Sequence, residues 1–457
     1  MFVLASDGGD LTQARLASGC GSYYGPRDVL QLALRVGSDR ARGSGASQDA
    51  AAWRGARLSE RRPSTTLPAM RAAVVIVASA LLVGLPSAGA APERAPAEPG
   101  GWDQPGAAKY LDDRMEAWLV AKRRKLASDE TTCVSCHTTV AYVVARPPLR
   151  RAMHVNEVTP QEERVLLDVT RRVETYATRR PYYELDDRKK VESRGTEAVL
   201  NALILATADE ERHRGTLSEP TRAAFGQLWK TQRADGAWDW LDFGLEPFES
   251  AGAAYYGATL AALAVGAAGA VSAGPTPDAR AGIDRLRRYL TEHYAAQSVH
   301  HRAWVLLASN RWKELLADRQ RDALVAEVQR AQRDDGGWSL LALGPWRWSA
   351  SAWRARPPGK VDGALLAQSD GYATGLMVYT LRMAGLSIDH PTVTRGLHWL
   401  RANQHDVQTE SKSYRAWRTY SLNYDREHGG DKGEPLRRMF MSDAATALAV
   451  LALTASN

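Results

Sequence analysis

This 457-residue sequence predicts an all-α fold, specifically an α6/α6 toroid with two concentric rings of helices around a cavity. Two observations carry that expectation. Apolar residues recur with the 3.6-residue helical period through most of residues 104–457, and no segment sustains the period-two alternation of a half-buried strand. The periodic segments also alternate in character along the chain. Six are amphipathic with a charged side and six are apolar on nearly every side, as polar outer helices around apolar inner ones would be.

The N-terminal segments come first. Residues 1–69 are rich in Gly, Ser, Ala and Arg, show little periodicity, and are expected to be a disordered extension or a mis-assigned start. Residues 70–90 read as a secretory signal. Arg71 supplies the basic end, Ala72–Leu85 an apolar core too short to span a bilayer, and Ala88-Gly89-Ala90 a small-x-small cleavage site. Residues 91–103 form a linker. The expected location is therefore periplasmic or secreted, with no stable membrane span after cleavage.

Charge is also uneven. The net +7 includes nine Arg against six acidic residues in 1–69 and a further Arg71, leaving 49 basic and 46 acidic residues from 91 onward. So small an excess, with no basic run interleaved with aromatics, argues against a nucleic-acid partner.

The amphipathic segments are 104–125, 160–178, 219–232, 277–295, 318–332 and 391–404. The apolar ones are 134–145, 195–208, 251–267, 299–309, 372–384 and 444–454. Several begin where Ser or Thr precedes Pro or Glu, which is good helix-starting chemistry. The first helices, 104–190, carry the cysteine motif and begin the toroid, and 191–457 complete it. Three connections, 236–250, 335–370 and 404–443, exceed what a turn requires and would gather at one rim as a functional cap.

Of three cysteines, Cys20 lies in the N-terminal extension, so the exported chain holds Cys133 and Cys136. In "CVSCH" they stand directly before His137, the spacing at which two thiols bond a porphyrin and a histidine ligates its iron. The expected cofactor is covalent haem c. A local Cys133–Cys136 disulfide is one alternative. A zinc site is another, but it would need two further ligands that no second Cys or His pair supplies. Candidates for a sixth iron ligand at the rim are His405, His428, Met439 and Met441. His300 and His301 open another inner helix and join that rim, whereas Met153 and His154 should lie at its opposite end.

"QRADGAW" (232–238) and "QRDDGGW" (332–338) share Gln-x-x-x-Gly-x-Trp, and "GLHWLRANQ" (396–404) begins a third copy that loses its Gly-x-Trp to a polar insert. Gln can cap a helix end, Gly admits the tight turn, and Trp packs across it. These resemble the QW motifs of squalene-hopene cyclases, oxidosqualene cyclases and related prenyltransferase folds, over roughly residues 190–457. The resemblance implies the same α/α toroid and a cavity for an apolar, isoprenoid-like molecule.

It does not carry over the cyclase chemistry. Those cyclases protonate with the central Asp of a D-x-D-D-T motif. The nearest match, "SDGYAT" (369–374), puts Asp370 at the first Asp but Tyr372 at the central acid and Ala373 at the last. A zinc prenyltransferase site fails too, because no cysteine follows His137. Glu249, Asp370 and Asp443 remain candidate catalytic acids, and Glu197 is expected with them at an inner-helix start facing the cavity. Asp370 and Asp443, each preceded by Ser, read first as helix caps. Trp346, Trp348 and Trp353 crowd the second connection as ligand-facing candidates.

The expected function is an exported c-type haem protein, either a haem-dependent oxidoreductase or an electron-transfer protein with a redox partner. The alternative is a haem-free terpenoid- or carbohydrate-active toroid enzyme with Cys133 and Cys136 disulfide-bonded.

Overall fold

Residues 101–455 are described by the computed structural model, apart from 122, 127–128, 185, 213–214, 270–276, 347–362, 409–411 and 424–438. The signal sequence, most of the linker, Cys20, His428, Trp348 and Trp353 lie outside the described residues, and no described helix is long and apolar enough to cross a membrane.

The described chain is mostly helical. Its helices are α1 (Gln104–Ala121), α2 (Ala141–Ala152), α3 (Pro160–Glu174), α4 (Asp187–Glu211), α5 (Glu219–Thr231), α6 (Ala253–Gly269), α7 (Pro277–His293), α8 (Val299–Ser309), α9 (Asp318–Arg330), α10 (Gly371–Met383), α11 (Pro391–Ala402) and α12 (Phe440–Thr454), with a short turn at Gly363–Leu366. A π-helical turn, Cys136–Val140, runs straight into α2. Two antiparallel hairpins interrupt the pattern, β1 (Arg123–Leu126) with β2 (Asp129–Thr132) and β3 (His405–Gln408) with β4 (Ser413–Ala416).

The even-numbered helices are the apolar set. Each packs on the next, α2 on α4, α4 on α6, α6 on α8, α8 on α10 and α10 on α12, and α12 returns to pack on α2. The odd-numbered helices lie against them, α1 on α2 and α12, α3 and α5 on α4, α7 on α6, α9 on α8 and α11 on α10. The burial follows from sequence: α12 buries every residue from Phe440 to Ala452, while α9 buries only Leu324 and Val328.

Local chemistry sets the ends. Thr159 accepts from the Glu162 amide and Glu162 reaches back to Thr159, a capping box at α3. Ser218 and Ser298 cap α5 and α8, with Pro220 in the first turn of α5.

Three boundary expectations are corrected. The first amphipathic helix stops at Ala121, and Arg123–Thr132 form a hairpin in place of its predicted last turn. The helix expected at 195–208 begins at Asp187, because Asp186 accepts from the Lys189 amide as its cap. The helix expected to end at Ala145 continues to Ala152 with Pro147 and Pro148 inside it.

Both complete Gln–Trp repeats form one hydrogen-bonded turn. The Gln232 amide donates to the Gly236 and Gly282 carbonyls, each at 3.0 Å, and the Trp238 indole donates to Leu228 at 2.9 Å. Gln332 donates to Gly336 at 2.8 Å and Thr392 at 2.9 Å, and Trp338 to Val328 at 2.8 Å. Gly236 and Gly336 adopt φ of 98° and 90°, and a Cβ at either would press on the next outer helix, at the Arg285 or Arg395 carbonyl. The truncated third repeat is complete in space. Gln404 donates to Asp103 at 2.9 Å and accepts its amide at 2.7 Å, and Trp417 donates to Leu400 at 2.8 Å. The β3–β4 hairpin fills the interval between Gln404 and Trp417.

Candidate functional site

The cysteine–histidine segment is held from three sides. The Trp118 indole of α1 donates to the Cys133 carbonyl at 2.7 Å. Ser135, extended, caps the π-helical turn by accepting from the Thr138 and Thr139 amides. Phe440, the first residue of α12, stacks on the His137 ring with centroids 4.0 Å apart, and Trp118 meets that ring edge-on at 5.2 Å. Cys133, Cys136 and His137 are 1%, 9% and 1% exposed.

Cys136 is a free thiol, so the two cysteines are not joined to one another, contrary to the disulfide alternative. Burial, and then the charge of nearby Glu249, push its pKa well up. His137 Nδ1 lies 2.8 Å from Thr138 Oγ1, and that hydroxyl donates to Asp443 at 2.7 Å.

The Cys133 sulfur is disulfide-bonded, so Cys136 offers the free thiol here, and the His137 imidazole has the chemistry of an iron ligand. Packing by Phe440 engages a face of the imidazole, whereas iron would bind at its edge through Nε2, the nitrogen opposite the Thr138 contact. Beneath the motif, buried Arg172 and Arg179 each reach Glu197 at 2.9 Å, and Arg172 donates to Thr131 at 3.0 Å. Glu197 is thereby an ion-pair partner, eleven positions below its helix cap at Asp186 rather than at a rim.

The candidate acids separate clearly. Asp443 is neither cap nor free acid: its carboxylate accepts from Arg114 through both oxygens (2.7 and 3.0 Å), from Tyr110 at 2.8 Å and from Thr138. Asp370 is the cap of α10, accepting from the Ala373 amide at 3.0 Å, and it also accepts from Leu340 and Thr419. Burial nevertheless raises its pKa to about 6, against these hydrogen bonds. Glu249 stands apart. It is buried, one carboxyl oxygen has no hydrogen-bond partner, and burial holds its pKa well above the usual range.

The three long connections do meet. Asn423 accepts from the Glu246 amide at 3.1 Å, linking the first and third, and Thr419 reaches Asp370 from the third to the end of the second at 2.7 Å. Trp346, from the second, approaches His300 at 5.5 Å. His300 Nε2 lies 2.7 Å from the Tyr372 hydroxyl, and Phe248 and Tyr256 complete the aromatic surround. Tyr372 thus holds a hydrogen bond to an imidazole at the place where the cyclase pattern would put its central acid.

Of the sixth-ligand candidates, Met439 and Met441 flank Phe440, the residue that stacks on the His137 ring. His405 is exposed on β3. Met153 ends α2, as expected for the far end of that helix.

Sequence reasoning missed Thr138, Arg114 and Tyr110 as partners of Asp443, and Trp417 as the third repeat's tryptophan. A charged residue in the apolar stretch "FMSDAATALAV" was the available signal, since such a group demands a buried partner. No protein-family model and no curated protein matches this chain.

Proposed function

We propose that this is an exported c-type haem protein built on an α6/α6 toroid like that of squalene cyclases. The haem would be bonded to Cys133 and Cys136 and ligated by His137. The single observation that carries the reading is the His137 imidazole, buried directly behind the cysteine pair, packed by Phe440 and held through Nδ1. The closed succession of even-numbered helices, with odd-numbered ones outside, supports the toroid. Nothing about export rests on the fold; that part comes from the signal-like residues 70–90.

Bound haem would supply a one-electron centre. The chain's own residues hold and orient the imidazole and exclude water from it. The aromatic surround of His300, Tyr372, Tyr256 and Phe248 supports an apolar ligand in the interior, and the protein would exchange electrons with that ligand or with a redox partner. Protonation-initiated cyclisation is disfavoured because Tyr372 replaces the central acid.

The test is expression of residues 70–457 in a host that matures c-type haem, with Cys133→Ala/Cys136→Ala as control. Haem that survives a denaturing gel in the parent and not in the double variant is expected. Its absence from the parent overturns the reading.

A further inference from the structure

The hydroxyl of Thr138 has one hydrogen. Asp443 is clamped through both oxygens by Arg114 and accepts, so Thr138 spends that hydrogen on Asp443 at 2.7 Å. Thr138 Oγ1 can then only accept from His137 Nδ1, 2.8 Å away. The imidazole proton is fixed on Nδ1 and the lone pair on Nε2, the tautomer that ligates a metal. Tyr110, whose pKa is raised by burial and by Asp443, adds a further donor to the same carboxylate.

We infer that Asp443, acting through Thr138, is a positioning residue that fixes the ligating tautomer of His137 and would set the electron-donating strength of that imidazole toward a bound iron. The inference rests on the haem reading above for its redox consequence, but the tautomer itself does not. A hydrogen bond from Nδ1–H to a hydroxyl backed by a carboxylate makes the imidazole more electron-rich and favours ferric over ferrous iron.

The experiment uses the haem-loaded chain and three variants. Thr138→Val keeps the shape and leaves Arg114–Asp443 intact, Thr138→Ser keeps the hydroxyl, and Asp443→Asn removes the charge. At a fixed poise, Thr138→Val is expected to shift the ferric-to-ferrous ratio about tenfold toward ferrous, a rise of ~59 mV for a one-electron couple. Asp443→Asn should move it the same way, and Thr138→Ser should match the parent. A Thr138→Val potential equal to the parent's, or an equal displacement by Thr138→Ser, overturns the inference.

Nitrogen NMR of His137 in the haem-free chain gives a second readout. Protonation on Nδ1 in the parent, lost or mixed in Thr138→Val, is expected, and Nε2 protonation in the parent overturns the inference. Failure of the haem reading shows separately, as a parent that carries no covalent haem.

Discussion

The Trp417 indole donates to the Leu400 carbonyl across 17 residues, whereas Trp238 and Trp338 make the same bond to Leu228 and Val328 across 10. The turn is therefore conserved in space while seven residues are inserted into it. Trp417 is fully buried, and Trp102 packs against its ring at 5.6 Å.

Replacing Trp417 by Ala should cost about 3–5 kcal/mol, the range for a buried aromatic lost to a cavity. Denaturant unfolding followed by circular dichroism measures this. A loss below about 1 kcal/mol would mean that the third turn is held by its hairpin alone.

Asp370 should make the protein less stable at neutral pH than in mild acid. Its proton is bound more tightly in the fold, about 6 against an ordinary 3.8, so its contribution is complete below 3.8 and is lost as pH rises through 6. At 1.36 kcal/mol per unit, the difference is roughly 3 kcal/mol. Carbon-detected titration of the Asp370 carboxyl gives the midpoint directly, and a midpoint below 4 would contradict the burial argument.

Glu249 acts in the same direction. Its folded pKa is raised by burial first, so the stability it contributes is present in acid and is lost as pH rises through that value. Glu249→Gln is isosteric and uncharged, and should melt higher than the parent at alkaline pH while matching it in acid. Parallel melting curves at every pH would show that the carboxyl is not buried in the way described.

His300 behaves oppositely. Burial, and then His301, depress its pKa well below 6.5, so its contribution is present above 6.5 and is lost on acidification. A double-mutant cycle with His300→Phe and Tyr372→Phe should give a coupling of about 1 kcal/mol at pH 7.5, the ordinary worth of one buried hydrogen bond. Additive losses would mean that the 2.7 Å contact contributes nothing.

Much of the helical order was legible in the sequence because periodicity and capping are local. The 3.6-residue period located each of α1 to α12 among the described residues. What escaped was non-local or concealed by an insert. Asp443 and Thr138 lie 305 residues apart, and nothing near Thr138 announces a carboxylate partner. Trp417 was hidden because a polar hairpin separates it from Gln404. Proline ordinarily ends a helix, yet α2 runs on through Pro147 and Pro148, which local pattern alone does not show. Glu249 was visible as an acid, but its isolation depends on what surrounds it, which the sequence does not list in order.

The packing of α12 against α2 also has a consequence in time. Phe440 covers His137, and the sulfurs of Cys133 and Cys136 are almost wholly enclosed, yet residue 440 follows residue 137 by some three hundred positions. Until that late stretch docks, the early motif has no roof. Any reagent or enzyme that must reach the two sulfurs has its opportunity while the chain is still open, and docking of α12 then seals what has been done there.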